Sequence, residues 1–356
     1  MKIGWRNVLG IVLSIGLLYW AFHAVDFGRV VEHLRNANLW YFAGATIAGT
    51  AIFPLRARRW RPILASVAPA LPLGILWRAT AIGMMVTNVV PARAGELARA
   101  YALTRETPRV GFASALASIA VDRVFDAFVV LFLMLAALLD PAFPRQHLVA
   151  GRPVVTWMVG GGVLVALAVF LLYLVVIFPD RMIRMFELFA RRVAPRLERR
   201  GVEALASFAS GLGVLRHPWR FLEVLFWAVL HWLVNGLAFW LAFQAVGIAA
   251  PFSAALLVQG LIAIGVSVPS APGFFGVFEY VGQQGLGLYG VDAARATSWA
   301  VGFHVLTYIP ITLIGIYYFA RLGLHFRDLS RANDGDTADA TRGEETPGAA
   351  AGERAG

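Results

Sequence analysis

One dense cluster of charged and turn-forming residues interrupts the apolar sequence. Pro91 ends an apolar stretch, and Gly95 permits a tight turn before a new helix begins. Such a helix points free N–H groups and the positive end of its dipole at the break, which favours an anion. Arg93 and Arg99 add guanidinium groups that suit phosphate oxygens, and Glu96 is spaced to orient Arg99. The cluster predicts an anion site, unless its arginines only mark a cytoplasmic loop.

A second group of charges lies within a long apolar stretch. On a helix Asp122 and Asp126 share a face, and Arg123 reaches Asp126 three residues later. Charges inside a membrane span are costly and usually face a partner or a wet cavity. Two interpretations stay open. The three residues line a binding site and pair with Arg93 or Arg99, or they form an interfacial ion pair that only orients the helix.

A second break, at Pro272 and Gly273, precedes the lone carboxylate of Glu279. The proline and glycine place Glu279 in the second turn of the following half-helix. A lone carboxylate at that depth either pairs with an arginine of the first cluster or exchanges a proton. His231 and His304 are isolated on apolar helices, which indicates hydrogen bonds between helices.

Several other chemistries lack the residues that they need. The chain has no cysteine, its seven histidines form no metal-ligand motif, and no phosphate-binding loop is present. No metal, cofactor or catalytic residue is therefore expected. The net charge of +10 comes from arginines spread over several short segments. This spread favours a membrane-topology signal over a nucleic-acid partner.

Composition indicates a membrane protein. Hydrophobic residues make up 59% of the 356 residues and charged residues only 15%, whereas soluble chains carry roughly a quarter of charged residues. A spanning helix needs about 20 mostly apolar residues. Apolar stretches of suitable character lie at 8–25, 39–55, 73–90, 113–139, 154–178, 221–247, 254–268 and 297–320.

The arginine-rich segments indicate which stretches cross the membrane. Segments 56–72 and 179–220 are both expected to be cytoplasmic loops. Three apolar stretches lie between them, and three crossings would put the loops on opposite sides. We therefore expect an all-α polytopic membrane protein with about six full transmembrane helices. Two re-entrant helical hairpins, 73–104 and 254–289, would enter from opposite sides, as in the broken-helix sites of transporters.

The domain organisation follows from the same patterns. Residues 1–325 are expected to form one integral-membrane domain. Within it, the basic amphipathic segment 179–220 is expected to contact anionic phospholipids of the cytoplasmic leaflet. Residues 326–356 are predicted to be a polar, disordered cytoplasmic tail. The chain is expected to cross the membrane several times, with both termini cytoplasmic.

Four motifs together resemble those of one known family. They are RxRRW at 56–60, PxRxGExxR at 91–99, DRxxD at 122–126 and PSAPGxxGxxE at 269–279. They are similar to motifs of the lysylphosphatidylglycerol synthase transmembrane, or flippase-like, family of bacteria, and the resemblance covers roughly residues 5–325. That family commonly has Glu-Arg where this chain has Asp122-Arg123, which keeps the charges but shortens the reach.

The resemblance implies a domain of the bacterial inner (plasma) membrane that moves or handles lipids. Two-domain members carry a soluble aminoacyltransferase, whereas only a short polar segment follows the last span here, so a stand-alone member without lysyl transfer is expected. The expected function is translocation of a lipid with an anionic headgroup or of a polyprenyl- or hopanoid-type lipid. One alternative is a non-catalytic membrane partner of a separately encoded glycosyltransferase or lipid-synthesis enzyme. Another is an intramembrane enzyme that acts on polyprenyl-phosphate lipids.

Overall fold

The computed structural model describes residues 5–23, 25–65, 67–90, 94–149, 151–193, 218–267 and 270–324. Within these residues the regular secondary structure is helical, apart from one antiparallel pair of two-residue strands, Leu148–Val149 and Arg152–Pro153. The helices are α1 Trp5–Phe22, α2 Phe27–Arg35, α3 Leu39–Leu64, α4 Leu73–Val89, α5 Ala94–Glu106, α6 Phe112–Ala136, α7 Val154–Ile177, α8 Pro179–Val193, α9 Pro218–Ala245, α10 Phe252–Gly265, α11 Val277–Gly287 and α12 Ala293–Arg321. The all-α prediction is confirmed.

The helices begin and end close to the predicted apolar stretches. Asn38 starts α3 because its side chain accepts the backbone N–H groups of Trp40 and Tyr41, and Asp292 caps α12 in the same way. Among the described residues, α9 and α12 are long and apolar enough to cross a membrane. The count of six spans and the re-entrant character of the two hairpins stay predictions.

The prediction of a loop at 56–72 is wrong at its start. α3 continues to Leu64, so its arginines lie on a helix, and both Arg56 and Arg59 are buried. Hydropathy ends a span at such charges because it treats each one as solvated. Here α6 provides buried carboxylates that pair with them. Arg58 lies on the other side of α3 and contacts Glu223 of α9 at 3.2 Å.

α4 and α5 form the first helical hairpin, which is packed too closely for a side chain at one position. A Cβ atom on Gly95 would come within 2.1 Å of the carbonyl oxygen of Gly83. Arg78 on α4 pairs with Glu106 near the end of α5. This ion pair ties the open ends of the hairpin together, so Arg78 does not join the buried charges described below.

α10 and α11 form the second hairpin, which is broken by a short 3-10 turn at Pro272–Phe274. Gly273 and Gly276 have φ values of 66° and 89°, which glycine adopts without strain. The Glu279 carboxylate accepts the backbone N–H of Gly276 at 2.7 Å and so caps α11. α1 supports the break, because the hydroxyl of Ser14 accepts the backbone N–H of Ala271.

α12 contacts both hairpins near its middle. His304 contacts the carbonyl oxygen of Gly273 in the second break. One and two turns further along α12, Tyr308 and Thr312 contact Asn88 at the end of α4. The Tyr308 hydroxyl donates a hydrogen bond to the backbone carbonyl oxygen of Asn88. The side-chain amide of Asn88 donates a hydrogen bond to the hydroxyl of Thr312. At 1.5 Å per residue, the two hairpin ends lie at levels about 6–12 Å apart along this helix. One face of α12 therefore contacts both the end of α4 and the break of the second hairpin.

The basic segment after α7 is described only in part. α8 carries its apolar side chains on one side, and Met185, Leu188 and Phe189 are exposed. Such a helix has the pattern of one that lies on a membrane surface. The remainder of the predicted 179–220 segment, at 194–217, and the predicted tail, at 326–356, lie outside the described residues.

Candidate functional site

Arg59 lies at the centre of a buried cluster of charges. Its guanidinium contacts Asp122 at 2.6–2.7 Å and Asp126 at 2.6 Å. Arg59 and Asp122 are fully buried. Asp126 also accepts a hydrogen bond from the indole of Trp232 at 2.9 Å. Both aspartates predicted from the sequence therefore belong to one tertiary cluster and pair with arginines of other helices, so they do more than orient α6.

Two further buried arginines complete the pairing of the aspartates. Arg99 contacts Asp122 at 3.0 Å, as one of the open interpretations expected. Its guanidinium also lies 3.9 Å from the ring centre of Trp60, in a cation–π contact. Arg56 contacts Asp126 at 3.3 Å. α3, α5 and α6 thus meet through charges rather than through apolar packing alone.

Arg123 and Glu96 extend the cluster towards the more exposed side. Arg123 contacts Asp126 at 3.2 Å, as predicted, and its Nε atom lies 2.9 Å from Glu96. Both Arg123 and Glu96 are about one-third exposed, at 38% and 37% of their side chains. The predicted contact of Glu96 with Arg99 is absent from the described contacts, because each of the two residues turns to a different charge on α6.

The cluster carries an excess of positive charge. Four arginines, at 56, 59, 99 and 123, face three carboxylates, at 96, 122 and 126. With all of them ionised, one positive charge is not matched. A buried charge without a counter-charge is costly, so an anion is the natural complement of this cluster.

A cavity of about 610 Å³ lies beside the cluster and runs to the second hairpin break. Its volume lies within the range of roughly 300–1,000 Å³ that is typical of small-molecule and cofactor sites. Arg56, Arg123, Glu96 and Asp126 line its charged end. Both hairpins contribute walls, and the apolar part includes Val130, Leu131, Phe239, Ile262, Ala263, Phe274, Phe278 and Phe303.

The other polar end of the cavity is lined by His304, which pairs with Glu279 of α11. His304 Nδ1 lies 2.6 Å from Glu279 Oε1, and both residues are buried. The predicted contact of Glu279 with an arginine is absent from the described residues. His304 does form the predicted contact between helices, because it links α12 to α11. His231 lies at the opposite end, with Nδ1 at 3.8 Å from Asp126.

The predicted site residues therefore separate into three groups. Glu96, Arg99, Asp122, Arg123 and Asp126 form the charge cluster, whereas Gly95, Pro272, Gly273 and Glu279 shape the two hairpins. Pro91 and Arg93 lie outside the described residues, so the predicted anion site at the start of α5 stays a prediction.

Sequence reasoning did not assign Arg56, Arg59 and Trp232 to the site. The available signal was spacing. Arg56 and Arg59 share a helix face, as do Asp122 and Asp126. Two charged faces of opposite sign within apolar stretches indicate a pairing across helices.

Comparisons with known proteins agree with this architecture. Residues 7–315 match the family model described as the lysylphosphatidylglycerol synthase TM region. The chain is 23% identical over 324 residues to a UPF0104 membrane protein of Methanothermobacter thermautotrophicus, covering 87% of this chain and 94% of that protein. It is also 33% identical over 119 residues to glycosyltransferase AglD of Haloferax volcanii. That match covers 33% of this chain and only 19% of the glycosyltransferase. No solved structure matches the chain.

Proposed function

We propose that this chain, which belongs to the lysylphosphatidylglycerol synthase TM region family, translocates a lipid with an anionic headgroup across the membrane. The lipid classes that fit are phospholipids and phosphate-bearing polyprenyl lipids, and hopanoid-type lipids fit only where they carry an anionic headgroup. Membrane insertion is consistent with the family and with the two long apolar helices. In this proposal the protein lies in the inner (plasma) membrane, with both termini cytoplasmic and α8 against anionic lipids.

The observation that carries the proposal is a cavity that lies beside a charge cluster with one unmatched positive charge. Arg56 and Arg123 line that end and suit phosphate oxygens, which accept hydrogen bonds from guanidinium groups in pairs. Asp126 and Glu96 hold the two arginines in place. The apolar walls provide a surface on which the first part of the lipid chains can pack.

The two hairpins give this cavity a way to change its access, because residues of both of them line it. In transporters, broken helices that meet near the bilayer midplane surround the substrate, and rocking of the two halves exposes it to either side. Here the cavity lies between two hairpins whose ends contact the same face of α12. We propose that they are re-entrant, enter from opposite sides and are surrounded by about six spanning helices.

A second candidate function is that of a non-catalytic partner for a glycosyltransferase that uses a lipid-linked substrate. The similarity of a 119-residue segment to glycosyltransferase AglD favours this alternative. In that case the cavity would hold the lipid for a separate enzyme rather than move it. The two candidates share the lipid site and differ in whether the lipid crosses the membrane.

Native mass spectrometry of the protein, purified gently from its host membranes, tests the lipid site. We compare the wild type with Arg56→Gln, which removes one guanidinium from the cavity. Loss of a hydrogen bond to a charged group costs about 1.5–3 kcal/mol, so bound lipid should fall by about tenfold or more.

Arg58→Gln is the matched control, because Arg58 lies two residues away and pairs with Glu223 outside the cavity. Wild type and control should retain one lipid class that Arg56→Gln loses. The same bulk phospholipids on all three proteins would contradict the headgroup site.

A further inference from the structure

The geometry of the buried Glu279–His304 pair determines how many hydrogens lie on the His304 ring nitrogens and the facing carboxylate oxygen. His304 Nε2 lies 2.9 Å from the carbonyl oxygen of Gly273. A carbonyl oxygen only accepts hydrogen bonds, so Nε2 carries a hydrogen. His304 Nδ1 lies 2.6 Å from Glu279 Oε1, and two lone pairs would repel at that distance. One further hydrogen therefore lies between these two atoms.

This hydrogen is one proton more than a neutral histidine and a carboxylate carry together. The pair is either an imidazolium with a carboxylate or a neutral imidazole with a carboxylic acid. Either form has no net charge. Without the proton the pair would carry one negative charge among buried groups, at an energetic cost.

Aromatic rings form the immediate surroundings of the pair. The imidazole lies between the rings of Phe275 and Phe278, at centroid distances of 4.4 and 4.5 Å. Aromatic faces attract a cation. Tyr308 of α12 is the titratable side chain whose ring faces His304. α9 provides the ring of Phe239 next to Phe278, and α1 provides the backbone carbonyl of Ser14 near Gly276. In the part of the chain that the structure describes, no second ion pair reaches Glu279 or His304.

We propose that this pair is a proton-binding site that couples the movement of lipid to a proton gradient. The inference rests on the proposed function, because it assigns the energy source of the same translocation. The pair holds its proton while the second hairpin break is closed, and it releases the proton when the break opens. The ligand of the site is the proton itself, with water in the cavity as its acceptor.

The release step changes one hydrogen position and no other bond. The proton between His304 Nδ1 and Glu279 Oε1 passes to water, which becomes hydronium, and a neutral imidazole and a carboxylate remain. The Nδ1 lone pair then faces the carboxylate at 2.6 Å. If the remaining hydrogen moves to Nδ1, the Nε2 lone pair faces the carbonyl oxygen of Gly273 instead. In both cases one contact becomes repulsive and opens.

The His304 contacts that would open on proton release are connected to both hairpins. Gly273 is the break of the second hairpin, and Tyr308, one turn after His304, holds the end of the first hairpin through Asn88. All four of these residues line the cavity. The proton on the pair and the shape of the cavity are therefore linked through one face of α12.

Nitrogen NMR of histidine-labelled protein in nanodiscs tests the proton site without any choice of lipid. His304→Gln identifies the signals of His304 by their absence. In the wild type, the Nδ1 signal should differ between acidic and alkaline samples, because the pair loses its proton between them. Glu279→Gln should abolish that change, because its amide donates to Nδ1 and still accepts from the Gly276 backbone. A His304 spectrum that is independent of pH in the wild type would overturn the proton site.

A vesicle assay tests the coupling. Wild type, Glu279→Gln and His304→Gln are reconstituted in phosphatidylethanolamine and phosphatidylglycerol with a fluorescent phosphatidylglycerol as the probe. A pH difference of about two units is imposed across the vesicle membrane, which is a ~100-fold ratio of proton concentrations. This gradient should accelerate probe movement by about tenfold in the wild type. In either variant it should accelerate probe movement by less than about twofold. Glu223→Gln is the matched control for the loss of a carboxylate, because Glu223 lies outside the cavity.

The two assays separate the possible failures. Equal acceleration of wild type and Glu279→Gln would overturn the coupling and leave lipid translocation in place. If the wild type moves no probe at any pH while the His304 signal changes with pH, translocation of phosphatidylglycerol is contradicted. The coupling is then overturned with it, although the proton site remains.

Discussion

Removal of Arg59 tests whether the buried charge cluster stabilises the fold. Arg59→Met keeps much of the side-chain volume and deletes the charge. Breaking a buried ion pair by removing one partner costs about 3–5 kcal/mol. Asp122 keeps Arg99 at 3.0 Å and Asp126 keeps Arg56 at 3.3 Å, so neither aspartate is left without a cation. We therefore expect the lower end of the range, about 3 kcal/mol.

Thermal unfolding in detergent, followed by tryptophan fluorescence, measures this effect. A loss of about 3 kcal/mol should lower the Tm by about 6 °C, at roughly 2 °C per kcal/mol for a chain of this size. Arg58→Met is the matched control. Its ion pair with Glu223 is about one-third exposed, and such pairs contribute only about 0–1 kcal/mol. Equal Tm values for wild type and Arg59→Met would refute the stabilising role of the cluster.

Two further predictions concern packing and pH. Gly95→Ala places a Cβ atom 2.1 Å from the carbonyl oxygen of Gly83, so the folded yield in size-exclusion chromatography should fall. Gly111→Ala, with no atom within 4 Å of the new Cβ, should leave the yield unchanged, and equal yields for both variants would contradict close hairpin packing. The hydroxyl of Ser253, at 2.6 Å, lowers the pKa of the Asp140 carboxyl below its ordinary value of 3.8. The ionised Asp140 carboxyl stabilises the fold above that value, and this contribution disappears as the pH falls through the lowered pKa. The Tm difference between wild type and Asp140→Asn should therefore become smaller in acid. A Tm difference that does not change with pH would contradict this prediction.

Much of the fold follows from local sequence patterns. The apolar stretch predicted at 154–178 corresponds to α7 at Val154–Ile177, and the break at Pro272 and Gly273 lies where the second hairpin turns. These features depend on runs of apolar side chains and on residues with restricted or unusual backbone conformations. Both properties belong to single residues and their neighbours, so one sequence is enough to predict them.

The pairing of charges required the tertiary structure. A hydropathy pattern treats Arg56 and Arg59 as solvated, and therefore ends the second span before them. In the core these two arginines are stabilised by hydrogen bonds to Asp122 and Asp126, which lie more than 60 positions away along the chain. Likewise, His304 looked isolated on its own helix because its partner lies on α11. The composition of a cluster from several helices is not encoded in any one local pattern.

Lipid movement in reconstituted vesicles tests the central claim most directly. The lipid class that remains bound in native mass spectrometry is labelled, and its transfer between leaflets is measured for wild type, Arg56→Gln and Arg58→Gln. We predict transfer by wild type and Arg58→Gln and a rate about tenfold lower for Arg56→Gln, as expected for the loss of one charged hydrogen bond. Transfer by the wild type that is no faster than in protein-free vesicles would contradict translocation, and would favour a protein that holds the lipid for a separate enzyme.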